Sequence, residues 1–165
     1  CALLTTETKR SGLSAATALA LRDRAGAQPV AVGLISPWVD PTQSAGSYTS
    51  RADVDPMLTA AALTQAAEAY LAGTDPTSPY ASPVFGDHGA LPPVRVDVGS
   101  DEVLFDDSAT LVERILAAGG TAELREWPEM IHVFAAFPPD LVPEAADAVA
   151  ALGAFLAAGF DAAAS

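Results

Sequence analysis

Hydrophobic residues along this chain fall into two alternating kinds of segment. Short, dense apolar runs suit strands buried on both faces, and longer segments with apolar positions three and four apart suit helices. Ala2 to Thr6 is short, apolar and β-compatible, and Ser14 to Arg24 is rich in Ala and Leu and stops at Gly26. Pro29 opens the continuous run Val30-Ala31-Val32-Gly33-Leu34-Ile35, which Pro37 ends. Val39 to Arg51 reads as loop, and Pro56 to Leu71 returns to helical spacing with Leu58, Ala62, Leu63, Ala66, Ala67 and Tyr70 near one stripe. Gly73 to Pro93 carries five prolines and reads as a long ordered loop. Val94 to Val98 and Ala122 to Trp127 alternate as strands do. Between them, Ser108 to Ala118 places Leu111, Val112, Ile115 and Leu116 at helical spacing before Gly119-Gly120. A last helix is expected over Pro143 to Ala158, with Pro143 in its first turn and Gly159 beyond its end. Strand and helix alternate four times, the pattern of an α/β layered domain with a largely parallel sheet. The domain is expected over residues 1–160, followed by a frayed tail at 161–165.

Composition narrows the function classes. Half of the 165 residues are hydrophobic and 18% are charged, which is a globular rather than a disordered balance. Eight basic against 21 acidic residues give a formal net charge of −13, which repels nucleic-acid phosphates and anionic lipid. With no apolar stretch of about 18 residues, neither nucleic acid nor membrane is expected as a partner. Cys1 is the only cysteine, so no internal disulfide forms. The first ten residues lack the basic-then-apolar layout of a secretion signal, which makes the cytoplasm the expected location. The spacing of His, Asp and Glu suits no metal and no glycine-rich phosphate loop occurs, so no cofactor is expected.

Reacting groups in open α/β sheets gather at the carboxyl ends of strands, and two strand ends here carry chemistry. One runs into Gly99-Ser100-Asp101-Glu102-Val103-Leu104-Phe105-Asp106-Asp107, where four carboxylates fall within seven residues. Acids near a helix start are favoured by its dipole, which accounts for Asp106 and Asp107 better than for Asp101 and Glu102. The other runs into Pro128-Glu129-Met130-Ile131-His132-Val133-Phe134 and holds one of two histidines; His88, in the proline-rich loop, reads as a surface residue. A histidine after an apolar strand is more often structural than catalytic. Paired with an acid from a neighbouring strand end, it becomes the base of a hydrolytic triad. Trp38 and Trp127 read as packing residues, and Asp53 and Asp55 as turn or cap residues beside Pro56.

Four segments, in order, resemble the bacterial hormone-sensitive-lipase-like esterases of the α/β-hydrolase fold. They are Leu34-Ile35-Ser36-Pro37-Trp38-Val39-Asp40, the stretch Asp75-Pro76 to Val84-Phe85, Leu91-Pro92-Pro93 leading to Val98-Gly99-Ser100-Asp101-Glu102-Val103-Leu104, and Trp127 to Phe134. The resemblance implies an α/β-hydrolase-like three-layer sandwich with a largely parallel sheet, lacking the N-terminal strands and cap. It implies Glu102 as the triad acid, within Glu102-Val103-Leu104-Phe105-Asp106, with Asp101 as the fallback, and His132 as the base. The family's nucleophile elbow is Gly-Asp/Glu-Ser-Ala-Gly; here the same place reads Thr6-Glu7-Thr8-Lys9-Arg10, so Thr8 stands at the nucleophile position and both glycines are replaced. The family's His-Gly-Gly segment, which completes the oxyanion hole, precedes that elbow and has no counterpart among these residues, which implies a missing N-terminal half. The implied partner is a small-molecule ester, and in this family the edge strand corresponding to Ala122 to Trp127 pairs subunits into a homodimer. Two alternatives stand beside the esterase: a catalytically inactive module of the same fold, and a carboxylesterase-like dehydratase that uses threonine in place of serine.

Overall fold

The computed structural model describes the backbone of residues 2–5 and 8–164 and the side chains of residues 12–164. Strands β1 (Ala2–Thr5), β2 (Ala31–Ile35), β3 (Val94–Gly99) and β4 (Ala122–Trp127) form one sheet in sequence order, every neighbouring pair parallel. Helices α1 (Thr8–Asp23), α2 (Ser47–Ser50), α3 (Ala60–Leu71), α4 (Phe105–Ala117) and α5 (Glu144–Ala164) alternate with the strands. Parallel pairing requires such crossovers and covers both sheet faces, which is why β2 is apolar without interruption and buried throughout.

The two-residue period of β2 sorts its side chains between two cores. Val32 and Leu34 join Val94 and Val96 of β3 against Ala15 and Ala18 of α1 and Leu111, Val112 and Ile115 of α4. Ile35 points the other way and packs with Trp127, Phe134, Ala148 and Leu152, the last two from α5. A third cluster brings Leu63 and Ala67 of α3 together with Trp38, Tyr48, Val103 and Leu104, all from segments that follow the carboxyl ends of β2 and β3. The layered α/β arrangement expected from the pattern is the one observed.

Several boundaries move. α3 begins at Ala60 rather than Pro56 because Thr59 Oγ1 caps it, accepting from Ala62 N at 3.2 Å. Asp55 Oδ1 instead holds Met57 N and Leu58 N at 2.8 and 2.9 Å in a separate turn. Tyr70, expected on the buried stripe of α3, is exposed. The proline-rich loop contains a single 3-10 turn at Pro83–Phe85, and α4 starts three residues earlier than its apolar spacing suggests. α5 runs through Gly159 and to Ala164, across the segment expected to fray. A Cβ on Gly159 would stand 3.0 Å from Ala31 Cβ, so that glycine serves close helix–strand packing and not helix termination.

α5 also corrects the expectation that no segment is long and apolar enough to cross a bilayer. Its 21 residues qualify by length and composition, because alanines supply hydropathy around the whole helix. In this fold it buries one stripe, Ala145, Ala148, Leu152 and Leu156.

Candidate active site

The site is built where the segments after β2, β3 and β4 meet. Beyond Gly99 the chain makes a tight turn into α4, and the turn is held from outside. Asp55 Oδ2 accepts from Val103 N at 2.9 Å. Ser47 Oγ donates to Val103 O at 2.6 Å and accepts from Asp106 N at 3.1 Å, while Asp106 Oδ2 accepts from Ser47 N at 2.8 Å. Asp107 Oδ2 accepts from Val39 N and Asp40 N at 3.0 and 2.9 Å. Asp106 and Asp107, in the first turn of α4, thus bind the start of α2 and the loop after β2 respectively, in addition to suiting the helix dipole. Burial of Asp107 pushes its carboxyl up to about 8 against the lowering effect of those two backbone donors.

The loop after β4 lies directly on this turn. Ser100 N donates to Trp127 O at 2.9 Å, Asp101 N to Met130 O at 3.0 Å, and Glu129 N to Ser100 Oγ at 2.8 Å. The approach is close enough to require glycine at 99, since a Cβ there would sit 2.1 Å from Met130 O. Three non-glycine residues around the site, Ser36, Glu129 and Val133, adopt left-handed backbone with φ of 46°, 59° and 48°. A β-branched valine there is strained, and such strain persists only where surrounding contacts impose it.

These contacts bring the two expected residues together. Glu102 Oε2 lies 2.8 Å from His132 Nδ1, with both side chains buried, at 0% and 2% exposure. Glu102 Oε1 accepts from Gly99 N and from Ser36 Oγ, each at 2.6 Å. The carboxylate is therefore satisfied on both oxygens, and a proton on Nδ1 directed at Oε2 makes Nε2 the basic nitrogen of the ring. The fallback acid, Asp101, turns elsewhere and accepts from Ser100 Oγ at 2.8 Å. Thr8 is the first residue of α1, three positions beyond the last residue of β1. Its side chain, and all of Thr6 and Glu7, lie outside the described residues.

His88 corrects a sequence expectation. It is buried at 4% exposure, with Nε2 3.0 Å from Pro83 O, and burial lowers its pKa. The proline-rich loop folds back over α1 and α4, with Gly86 packed on Leu19, and so encloses a histidine that its polar neighbours suggested was exposed. Trp38 and Trp127 are packing residues as expected, and Trp127 Nε1 also donates to buried Asp97 at 2.8 Å. Asp55 caps a turn, as expected, and in addition reaches the acid turn. Sequence reasoning gave Ser36 and Gly99 no role of their own, and gave Asp107 only that of complementing the helix dipole. The signals for Ser36 were its place at a strand end, between Ile35 and Pro37, and its membership of the family-like segment Leu34 to Asp40.

The family model of the alpha/beta hydrolase fold matches residues 11–136. The chain belongs to the α/β-hydrolase fold family, in its hormone-sensitive-lipase-like esterase branch. It is 44% identical over 146 residues to an acetyl-hydrolase of Streptomyces hygroscopicus, covering 88% of this chain and 48% of that protein. It is 37% identical over 145 residues to a putative acetyl-hydrolase, LipR, of Mycobacterium tuberculosis, covering 88% and 46%. Among solved structures, EstE5 superposes with a TM-score of 0.89 at 38% identity, over 92% of this chain and 51% of its own. A hormone-sensitive lipase from a metagenome library gives 0.87 at 35% identity, over 90% and 51%. The chain thus spans about half the length of the relatives it matches.

Proposed function

We propose that this chain carries the acid and base of a carboxylic-ester hydrolase, with Glu102 as the acid, His132 as the base and residue 8 as the nucleophile position. The observation that carries the reading is the buried 2.8 Å contact between Glu102 Oε2 and His132 Nδ1, made between two different strand ends. Glu102 holds the imidazole in one tautomer and stabilises the imidazolium that forms when Nε2 takes a hydroxyl proton. The deprotonated hydroxyl attacks the ester carbonyl, His132 returns the proton to the departing alcohol, and water then releases the acyl group by the same base. An ester with a short acyl group is the proposed substrate, supported by the two relatives that carry the name acetyl-hydrolase.

A homodimer through β4 belongs to the same reading. Among the described residues β4 pairs with β3 alone and so presents an open edge. Sedimentation analysis that finds only monomer would remove this part.

The decisive experiment is hydrolysis of p-nitrophenyl acetate by the full-length protein, its His132→Ala variant and its Glu102→Gln variant. Loss of roughly 10²–10⁴-fold in kcat from either change is expected. Equal turnover in all three would overturn the assignment. Absence of turnover in the parent would favour an inactive module, and an alkene product would favour elimination by the threonine at position 8.

A further inference from the structure

Ser36 is the first residue after β2, fully buried at 0% exposure and held at φ 46°. Its backbone N–H continues the sheet ladder, donating to Asp97 O at 2.9 Å, so its position is set by the strand and not by the loop. Its hydroxyl does two things at once: it donates to Glu102 Oε1 at 2.6 Å and accepts from Val133 N at 3.1 Å. Val133 directly follows His132, and its strained φ of 48° accompanies the N–H donated to Ser36 Oγ. One hydroxyl from a third strand end therefore touches both the carboxylate and the backbone beside the imidazole.

The direction of these bonds matters. Because Val133 N–H occupies a lone pair of Oγ, the single hydroxyl proton is left for the carboxylate. A hydrogen bond to a charged acceptor is among the stronger kinds. With Gly99 N on the same oxygen at 2.6 Å, Glu102 Oε1 is anchored twice and Oε2 is left to face His132. Apolar packing at a buried position does not require a hydroxyl, and the left-handed backbone would suit glycine better than serine. The geometry therefore gives the hydroxyl a use of its own.

We infer that Ser36 is a positioning residue of the Glu102–His132 pair, its hydroxyl fixing the carboxylate on one side and the histidine loop on the other. This deepens the reading of the pair as acid and base. Ser36 does not touch substrate; it acts through Glu102 and through Val133.

The test uses the full-length protein with two variants, Ser36→Ala and Ser36→Gly. Both remove the hydroxyl, and glycine also relieves the left-handed backbone, which separates the hydroxyl from strain. The first readout is the proton resonance of His132 Nδ1–H, assigned by its loss in His132→Gln, which reports the bond to Glu102 whether or not esters turn over. The second is the split of steady-state hydrolysis into kcat and KM. Both variants are expected to shift or broaden the Nδ1–H resonance and to lower kcat by about 10–100-fold, the loss of one hydrogen bond to a charged group. KM should stay within about twofold, since Ser36 contributes nothing to uniform substrate binding. A parental resonance and kcat in both variants would overturn the inference. Loss of the fold in both would assign Ser36 to stability alone and overturn it equally. If the parent hydrolyses no ester yet its resonance depends on Ser36, the hydrolase reading falls and the positioning role stands.

Discussion

Replacing Gly99 by alanine tests whether the contact between the acid turn and the histidine loop is as tight as the structure shows. The added Cβ would meet Met130 O at 2.1 Å and Met130 C at 2.6 Å, and the obstacle is backbone, not the end of a side chain. Restoring even the 3.4 Å at which ordinary contact begins requires about 1.3 Å of withdrawal. Overpacking of this kind costs about 1–3 kcal/mol. The withdrawal also stretches the bonds Asp101 N to Met130 O and Ser100 N to Trp127 O, worth about 1 kcal/mol each. Alanine restricts the unfolded chain and returns about 0.4–1 kcal/mol. The expected net destabilisation is roughly 2–4 kcal/mol, read from the urea midpoint at constant m-value. Displacing His132 by about 1 Å is expected to lower kcat by about 10²-fold in the same variant. A loss of stability under about 1 kcal/mol together with unchanged kcat would refute the close-approach argument.

Three further outcomes are expected from the same structure. Gly33→Ala should be milder, at about 1 kcal/mol in the same urea assay, because its Cβ would meet the flexible Cδ1 of Leu152 at 2.8 Å; a loss above that of Gly99→Ala would contradict the reasoning. The Asp107 carboxyl, pushed up to about 8, binds a proton in the folded state that the unfolded chain has released, so stability falls as pH rises from about 4 to about 8. Asp107→Asn retains an acceptor for Val39 N and Asp40 N and should remove that part of the slope; identical pH profiles of unfolding free energy for parent and variant would refute this. Burial holds His88 below the ordinary 6.5, so the folded state binds fewer protons than the unfolded one there and stability is lost as pH falls below about 6.5. His88→Gln keeps a donor for Pro83 O and should flatten that acid-side loss in thermal unfolding measured between pH 7 and pH 5.

Much of the architecture was legible because its cause is local. A strand buried on both faces must be continuously apolar, as β2 is, and Leu111, Val112 and Ile115 repeat at the helical period because α4 buries one face. Helix limits were less legible because they depend on partners distant in sequence. Gly159 reads as a stop in isolation and lies within α5 because Ala31 and Val30 pack against it. His88 reads as exposed from its polar neighbours and is buried because its loop crosses α1 and α4.

For the site, chemistry and geometry divide in the same way. The sequence alone determined which residue types could act, an acid and a histidine at successive strand ends, because hydrogen-bonding and proton-transfer capacity belong to the side chain itself. It also ranked Glu102 above Asp101, through family resemblance. Only the tertiary structure decided that Glu102 turns to His132 while Asp101 turns to Ser100, because one residue of rotation in a tight turn reverses where a side chain points. Ser36, 66 residues before Glu102 and 97 before Val133, acquires its place from parallel strands set side by side, a proximity that no local pattern encodes.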